Sequence, residues 1–201
     1  MNHAALRPLV FVLALLLSLG PGDWPGAWRA SGAHASESVS GDPSLTLTDP
    51  RLVVDEMAGY ALSGQVSVQL SAPLVAAIDR GVTLTFVSEF QLVRTRWWWF
   101  DSEVYQHTRT ARLTFHPLTR QFRVSVDGAK VQAFTDLTEA LRAALALKGW
   151  RVMPEPIATE GLQARVRLQL DANALPKPLQ VSALTDPQWK LDTGWVLTKG
   201  P

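Results

Sequence analysis

Three stretches of this chain alternate between apolar and polar residues, and this period of two constrains the fold more than any other feature. The alternation covers residues 60–70, 82–92 and 162–170. Because successive side chains of a strand point to opposite faces, each stretch predicts a strand with one buried and one solvated face. Strands of parallel sheets are covered on both faces, so half-solvated strands indicate an antiparallel sheet.

Shorter segments extend the same pattern. Residues 45–54 also alternate, but their apolar positions switch from odd to even numbers across Asp49-Pro50, which predicts a bulge or an edge strand. Residues 117–120 form a predicted turn, and Asp127-Gly128 is typical of a hairpin. The remaining predicted strands are residues 103–115, 122–126, 129–134 and 150–153, followed by a last strand or two in the tail with Trp189 and Trp195.

Two segments have the periodicity of a helix instead. Residues 136–148 form the long predicted helix, in which Asp136 can cap the first turn and Glu139, three positions on, can answer it. A short helix is predicted for residues 71–81, because a proline falls in its first turn and a glycine at its end.

The order of these elements predicts the fold class. Beyond the last long strand, Asp171 is expected to start a single turn that Pro176 and Pro178 end. Strand–helix–strand alternation does not recur, so a parallel α/β sheet is disfavoured. We predict a mainly β protein, an antiparallel β-sandwich of about seven to nine strands with one long and one short helix. It forms a single domain over residues 45–201.

The N-terminus has the composition of a secretory signal. An apolar run of 11 residues from Leu9 to Leu19 follows a short basic region, and as a helix it is far shorter than the roughly 30 Å hydrocarbon core. Ala33-His34-Ala35 has the small residues of a cleavage site. We predict a Sec-type signal peptide over residues 1–35, a linker over 36–44 and export to the periplasm. An uncleaved N-terminal anchor is the alternative.

The charge balance and the lack of cysteine disfavour several classes of protein. Of the 19 basic and 18 acidic residues, Arg7, Arg29 and Asp23 fall in the predicted signal peptide, which leaves 17 of each sign. A nucleic-acid binder carries a basic excess to meet phosphates, so that class is disfavoured. Without cysteine the chain has no disulfide, thiol nucleophile or thiolate metal site, and its fold depends on its hydrophobic core.

The sequence contains no recognised catalytic motif. His107 and His116 lie nine positions apart on one predicted strand, so they face opposite sides and cannot share a metal without help from elsewhere. Asp101 and Glu103 lie near His107, which makes an envelope hydrolase acting on glycan or ester bonds one alternative. The same carboxylates can instead pair with arginines across a hairpin. We predict a non-enzymatic protein with no catalytic residues, no metal and no cofactor.

Residues 94–101 place three adjacent tryptophans between basic and acidic residues. The candidate binding residues in this run are Arg94, Arg96, Trp97, Trp98, Trp99 and Asp101. If the strand alternation persists, Trp98 faces the apolar side while Trp97 and Trp99 face the polar side. In one interpretation a helix or the tail covers Trp97 and Trp99. In the other, the pair forms an exposed aromatic platform for a partner protein, a glycan or the membrane interface.

Several motifs together resemble an exported proteobacterial family known only as a domain of unknown function, DUF4390. The resemblance extends over residues 45–197 and includes the tryptophan run, although Thr95 stands where many relatives have proline. Its other motifs are residues 118–123, 136–141, 175–180 and 189–195. The resemblance implies a periplasmic protein of a Gram-negative bacterium, and it supplies neither an activity nor catalytic residues.

The resemblance also suggests a partner, because genes of this family often lie beside a membrane sensor kinase and its response regulator. We therefore predict a periplasmic binding or accessory module that assists a sensor kinase through an aromatic hairpin. A structural or chaperone-like factor of the outer membrane is a further alternative.

Overall fold

The computed structural model describes residues 41–55, 59–94, 102–153 and 161–199, which belong to one compact unit. The predicted signal peptide and part of the predicted linker lie outside these described residues, so the boundaries of both stay predictions. Within the described ranges, no helix has the length and apolar character needed to cross a membrane.

Nine strands and three helices form in the described residues, and the named strands pair only in antiparallel fashion. The strands are β1 (Ser44–Asp55), β2 (Gly59–Gln69), β3 (Leu84–Arg94), β4 (Ser102–His116), β5 (Gln121–Val126), β6 (Gln132–Phe134), β7 (Trp150–Met153), β8 (Gln163–Leu170) and β9 (Val196–Leu197). The helices are α1 (Ala72–Asp79), α2 (Leu137–Leu145) and α3 (Lys177–Thr185). The predicted mainly antiparallel β fold is confirmed.

The strands form two sheets of unequal size. One sheet has three strands in the order β1-β2-β7, and the other has six in the order β6-β5-β4-β3-β8-β9. Apolar residues of both sheets join those of α1 and α2 in one hydrophobic core. The two sheets therefore share a common core, as in a sandwich, and the helices complete it.

Strand β3 lies at the centre of this core. Its core-facing side chains Leu84, Phe86, Phe90 and Leu92 are at most 1% exposed, as the alternation of residues 82–92 predicts. The neighbouring strands β4 and β8 bury Ala111, Leu113, Val166 and Leu168 beside them. Burial of apolar area at about 25 cal/mol per Å² makes this layer the main source of stability. It also fixes the hairpin of β3 and β4.

The break at Asp49-Pro50 is a bulge within a continuous strand. The register of β1 against β2 shifts between Thr48 and Arg51, and Asp49 adopts a positive φ of 51°. The extra residue moves the buried positions from Leu45 before the bulge to Leu52 after it. The sequence predicted a bulge or an edge strand here, and β1 has the bulge and also lies at the edge of its sheet.

Helix α2 forms as predicted but ends earlier. The carboxylate of Asp136 accepts a hydrogen bond from the backbone N–H of Glu139 at 2.9 Å, which caps the first turn. The helix ends at Leu145, because Ala146 takes an extended conformation that directs Leu147 into the core. The predicted end at residue 148 is therefore wrong by one turn.

The prediction for the prolines near the tail is wrong. Asp171 does start a single 3₁₀ turn, over Ala172–Ala174, and accepts a hydrogen bond from Asn173. Pro176 and Pro178, however, stand at the start of α3 instead of ending a turn. Proline fits the first turn of a helix because its missing N–H has no acceptor there. The helix buries only Ala183, so its sequence carries no apolar stripe that would reveal it.

Candidate functional site

The tryptophan run connects two strands of a hairpin. Strands β3 and β4 pair up to Arg94 and Ser102, so residues 95–101 form the connection between them, as predicted. Arg94 is exposed at the end of β3. The other candidate binding residues lie outside the described part of the chain, and the faces assigned to them stay predictions: Arg96, Trp97, Trp98, Trp99 and Asp101.

A bulge at the end of this hairpin separates Glu103 from His107. Leu92 pairs with Tyr105 and Val93 with Glu103, so Val104 is an extra residue in β4. Glu103 and His107 are four positions apart, so on a regular strand they would lie on the same face. The bulge at Val104 moves Glu103 to the opposite face.

The contacts of the two side chains agree with this assignment. The Glu103 carboxylate accepts a hydrogen bond from the Gln91 amide at 2.8 Å on the outer face of the six-stranded sheet. The His107 ring lies on the core side, with its centroid 5.8 Å from that of Trp150. Glu103 and His107 therefore lie on opposite faces of β4, and Asp101, the third residue of the hydrolase alternative, lies outside the described residues.

The predicted pairing of carboxylates with arginines can be compared with the structure only for Glu103 and Arg94, because Arg96 and Asp101 lie outside the described residues. Glu103 is hydrogen-bonded to Gln91, and the described residues show no ion pair between Glu103 and Arg94. His107 and His116 lie on opposite faces of β4, as predicted, because the strand is regular between them. Among the described residues, no group of three histidines or carboxylates has metal-binding geometry.

The outer face beside the hairpin carries four linked side chains, Gln91, Glu103, Arg165 and Trp195, which we call the hairpin-end surface. Arg165 Nε donates to the Gln91 amide oxygen at 3.0 Å, and the Gln91 amide nitrogen donates to Glu103. The Arg165 guanidinium carbon lies 4.7 Å from the centroid of the Trp195 ring. Side chains of β3, β4, β8 and the tail are thereby joined in one network.

This network fixes the orientation of its members. Gln91 uses both ends of its amide and is only 8% exposed, so it cannot rotate without breaking two hydrogen bonds. The cation–π contact orients the indole of Trp195, which stays 38% exposed. A partly exposed indole held in place presents contact area at low conformational cost.

An ion pair lies further along the same face. Arg167 donates from Nε and one terminal nitrogen to the two carboxylate oxygens of Asp192, at 2.9 and 2.5 Å. The Asp192 carboxylate also accepts from the backbone N–H of Gly194. The hydrogen bonds from the Arg167 guanidinium, with the Gly194 N–H, hold the pKa of Asp192 below its usual value against the opposing effect of partial burial. This pair anchors the segment that leads to Trp195.

The lowered pKa of Asp192 predicts how its contribution varies with pH. The unfolded carboxyl titrates near about pH 3.9, so the stabilisation is complete above that value. It is lost as the pH falls through the lower pKa of the folded state. Because the pair is partly exposed, we expect at most about 1 kcal/mol. Denaturant unfolding of the wild type and Asp192→Asn should give a stability difference that is constant near neutrality and shrinks below about pH 4.

An Arg167→Gln background provides the control for this measurement. In it, Asp192→Asn should have a much smaller effect at every pH, because the principal charge partner is gone. A stability difference that persists undiminished to the lowest pH would contradict the assignment.

On the core side of β4, a buried cation occupies a position that sequence reasoning missed. Arg109 is 8% exposed, donates to the Ala146 carbonyl oxygen at 2.7 Å and stacks 4.8 Å from the centroid of Trp150. Burial lowers the pKa of this guanidinium, and the carboxylate of Asp127 opposes the shift. In the described part of the molecule, neither Arg109 Nε nor Trp150 Nε1 has an acceptor. The sequence does contain a signal for Arg109: strand alternation places this charged residue on the same side as the apolar Ala111 and Leu113.

Comparison with known proteins identifies a family. A family model described as a domain of unknown function, DUF4390, matches residues 43–198. No curated protein and no solved structure matches the chain. The matched residues contain both sheets and the hairpin-end surface.

Proposed function

The chain belongs to the family described as a domain of unknown function, DUF4390, and we propose that it acts as an exported, non-enzymatic binding module of the cell envelope. Its partner in this proposal is the extracytoplasmic domain of a membrane sensor kinase, which the resemblance of the sequence suggests. Binding takes place at the hairpin end, through the aromatic run of residues 97–99 together with the hairpin-end surface.

One observation carries the proposal: the indole of Trp195 is held half-exposed by a network of side chains from three strands. Tryptophan and arginine are the residue types that dominate binding energy at protein interfaces. An orientation fixed before binding removes part of the entropy cost of association. In the sequence, the tryptophan run begins three positions after the last residue of β3.

The chemistry of this surface supports binding over catalysis. Gln91 and Glu103 bond to each other, and Gln91 also bonds to Arg165, so these polar atoms stabilise the surface itself. A catalytic carboxylate works best in a pocket that excludes water and shifts its pKa, whereas Glu103 is exposed. Trp195 is 38% exposed, and the Arg165 guanidinium stacks on its ring.

Photo-crosslinking in cells that express the full chain tests the proposal. A photoreactive amino acid in place of Trp195 should crosslink the sensor kinase. The same amino acid in place of Leu118, which is 92% exposed in the turn between β4 and β5, should not. Replacing Trp97 and Trp99 with alanine should abolish the crosslink, while the circular dichroism spectrum of the purified protein stays unchanged.

Two outcomes would contradict this proposal. Equal crosslinking at both positions would show that the hairpin end is not a specific surface. A deletion strain with damaged envelope integrity but normal kinase output would favour a structural or chaperone-like factor instead.

A further inference from the structure

We infer that a groove between β2 and α2 binds an extended peptide segment of a partner protein by adding it as a strand to β2. This groove is separate from the hairpin-end surface. Strand β2 pairs with β1 over its whole length, but with β7 only at Tyr60, Ala61 and Leu62. Beyond Leu62, no strand of the described residues pairs with this second edge, which leaves its backbone N–H and C=O groups without a strand partner in that part of the chain.

The shape of the groove fits an extended chain. It is a cleft of about 290 Å³ bounded by β2 on one side and α2 on the other. The consecutive residues Val66, Ser67 and Val68 all line it, although alternate side chains of a strand point to opposite faces. The backbone edge itself therefore borders the cleft. The volume lies just below the roughly 300–1,000 Å³ range of small-molecule sites, so the cleft holds only part of a larger occupant.

The lining defines the chemistry of the occupant. Val66 and Val68 are half-buried, and three leucines of α2 and the residues after it continue the apolar lining: Leu141, Leu145 and Leu147. The rim carries the exposed Arg142, and the described residues that line the cleft include no acidic residue. Apolar pockets beside an open strand edge select alternate side chains of an added strand. The occupant that fits has aliphatic residues at alternate positions and an acidic residue facing Arg142.

A second copy of this chain is a poorer occupant. Pairing of β2 with β2 of another copy would insert residues 63–69, whose sequence is Ser-Gly-Gln-Val-Ser-Val-Gln. This segment supplies alternating valines but no carboxylate for Arg142. Charge complementarity therefore favours an acidic segment of a different protein.

Peptide selection tests the inference. Protein purified from cells expressing the full chain is used to select from a displayed library of random peptides. Enriched sequences should alternate aliphatic residues and share an aspartate or glutamate. Synthetic copies should bind, and analogues with N-methylated alternate amides should lose detectable binding, because strand addition needs their backbone donors. Arg142→Glu should weaken binding of the parent peptide about tenfold or more.

Arg123→Glu is the matched control, since it makes the same charge change at an exposed site on β5 and should leave peptide affinity unchanged. Trp195→Ala should also leave it unchanged, which separates this groove from the proposed function at the hairpin end. Failure to enrich any common pattern would overturn the inference, as would N-methylated peptides that bind as tightly as the parent. Dimerisation of the protein that Arg142→Glu alters would instead assign the groove to a second copy.

Discussion

Replacing Phe90 with alanine is expected to lower the free energy of unfolding by about 3–5 kcal/mol. The side chain is fully buried at the centre of β3, opposite Val166 of β8 and His107 of β4. Alanine would leave a cavity in a layer that the neighbouring strands cannot close without breaking their pairing. Urea denaturation of the purified protein, followed by tryptophan fluorescence, measures the change.

Val87→Ala on the same strand is the control for Phe90→Ala. Val87 lies on the other face of β3 and is only half-buried, so its truncation should cost much less. A loss of less than about 1 kcal/mol for Phe90→Ala would contradict the assignment of the core face.

Two apolar substitutions of Arg109 are expected to change the free energy of unfolding by very different amounts. Arg109→Ala should cost about 2–4 kcal/mol, because it empties the space beside Trp150. Arg109→Met should stay within about 1 kcal/mol of the wild type, because methionine fills a similar volume without a desolvated charge. The exposed Ala146 can satisfy its carbonyl with water once the guanidinium is gone.

Arg112→Met, at an exposed position of the same strand, controls for loss of a positive charge and should be nearly neutral. If Arg109→Met is as destabilising as Arg109→Ala, the cation itself is required, with its hydrogen bond to the Ala146 carbonyl oxygen. Denaturant unfolding of all three variants under one condition makes the comparison.

The sequence was sufficient for the antiparallel fold because burial on one face imposes a period of two. The core-facing side of β3, the irregularity of β1 at Asp49-Pro50 and the cap of α2 all followed from local patterns. Helix α3 escaped prediction because it buries a single alanine and therefore has no apolar period. Proline is common both in the first turn of a helix and just after the end of one. Pro176 and Pro178 therefore did not show which of the two applies here.

The hairpin-end surface could be predicted only in part. The sequence indicated the β3–β4 hairpin, but not the bulge at Val104, because only Ser102 and Glu103 precede it in β4 and neither is apolar. That one residue decides that Glu103 joins Gln91 on the outer face and does not join His107. The contact of Arg165 with Trp195 joins a strand to a tail 30 positions away, which no local pattern encodes.

The central claim is that the hairpin end binds the extracytoplasmic domain of a sensor kinase. Its most direct test is titration calorimetry of the two purified proteins with wild type, Trp195→Ala and Leu118→Ala. Wild type and Leu118→Ala are expected to bind equally, and Trp195→Ala about 30-fold more weakly or worse, as for an interfacial hot spot. Unchanged affinity of Trp195→Ala, or no binding by the wild type, would contradict the claim.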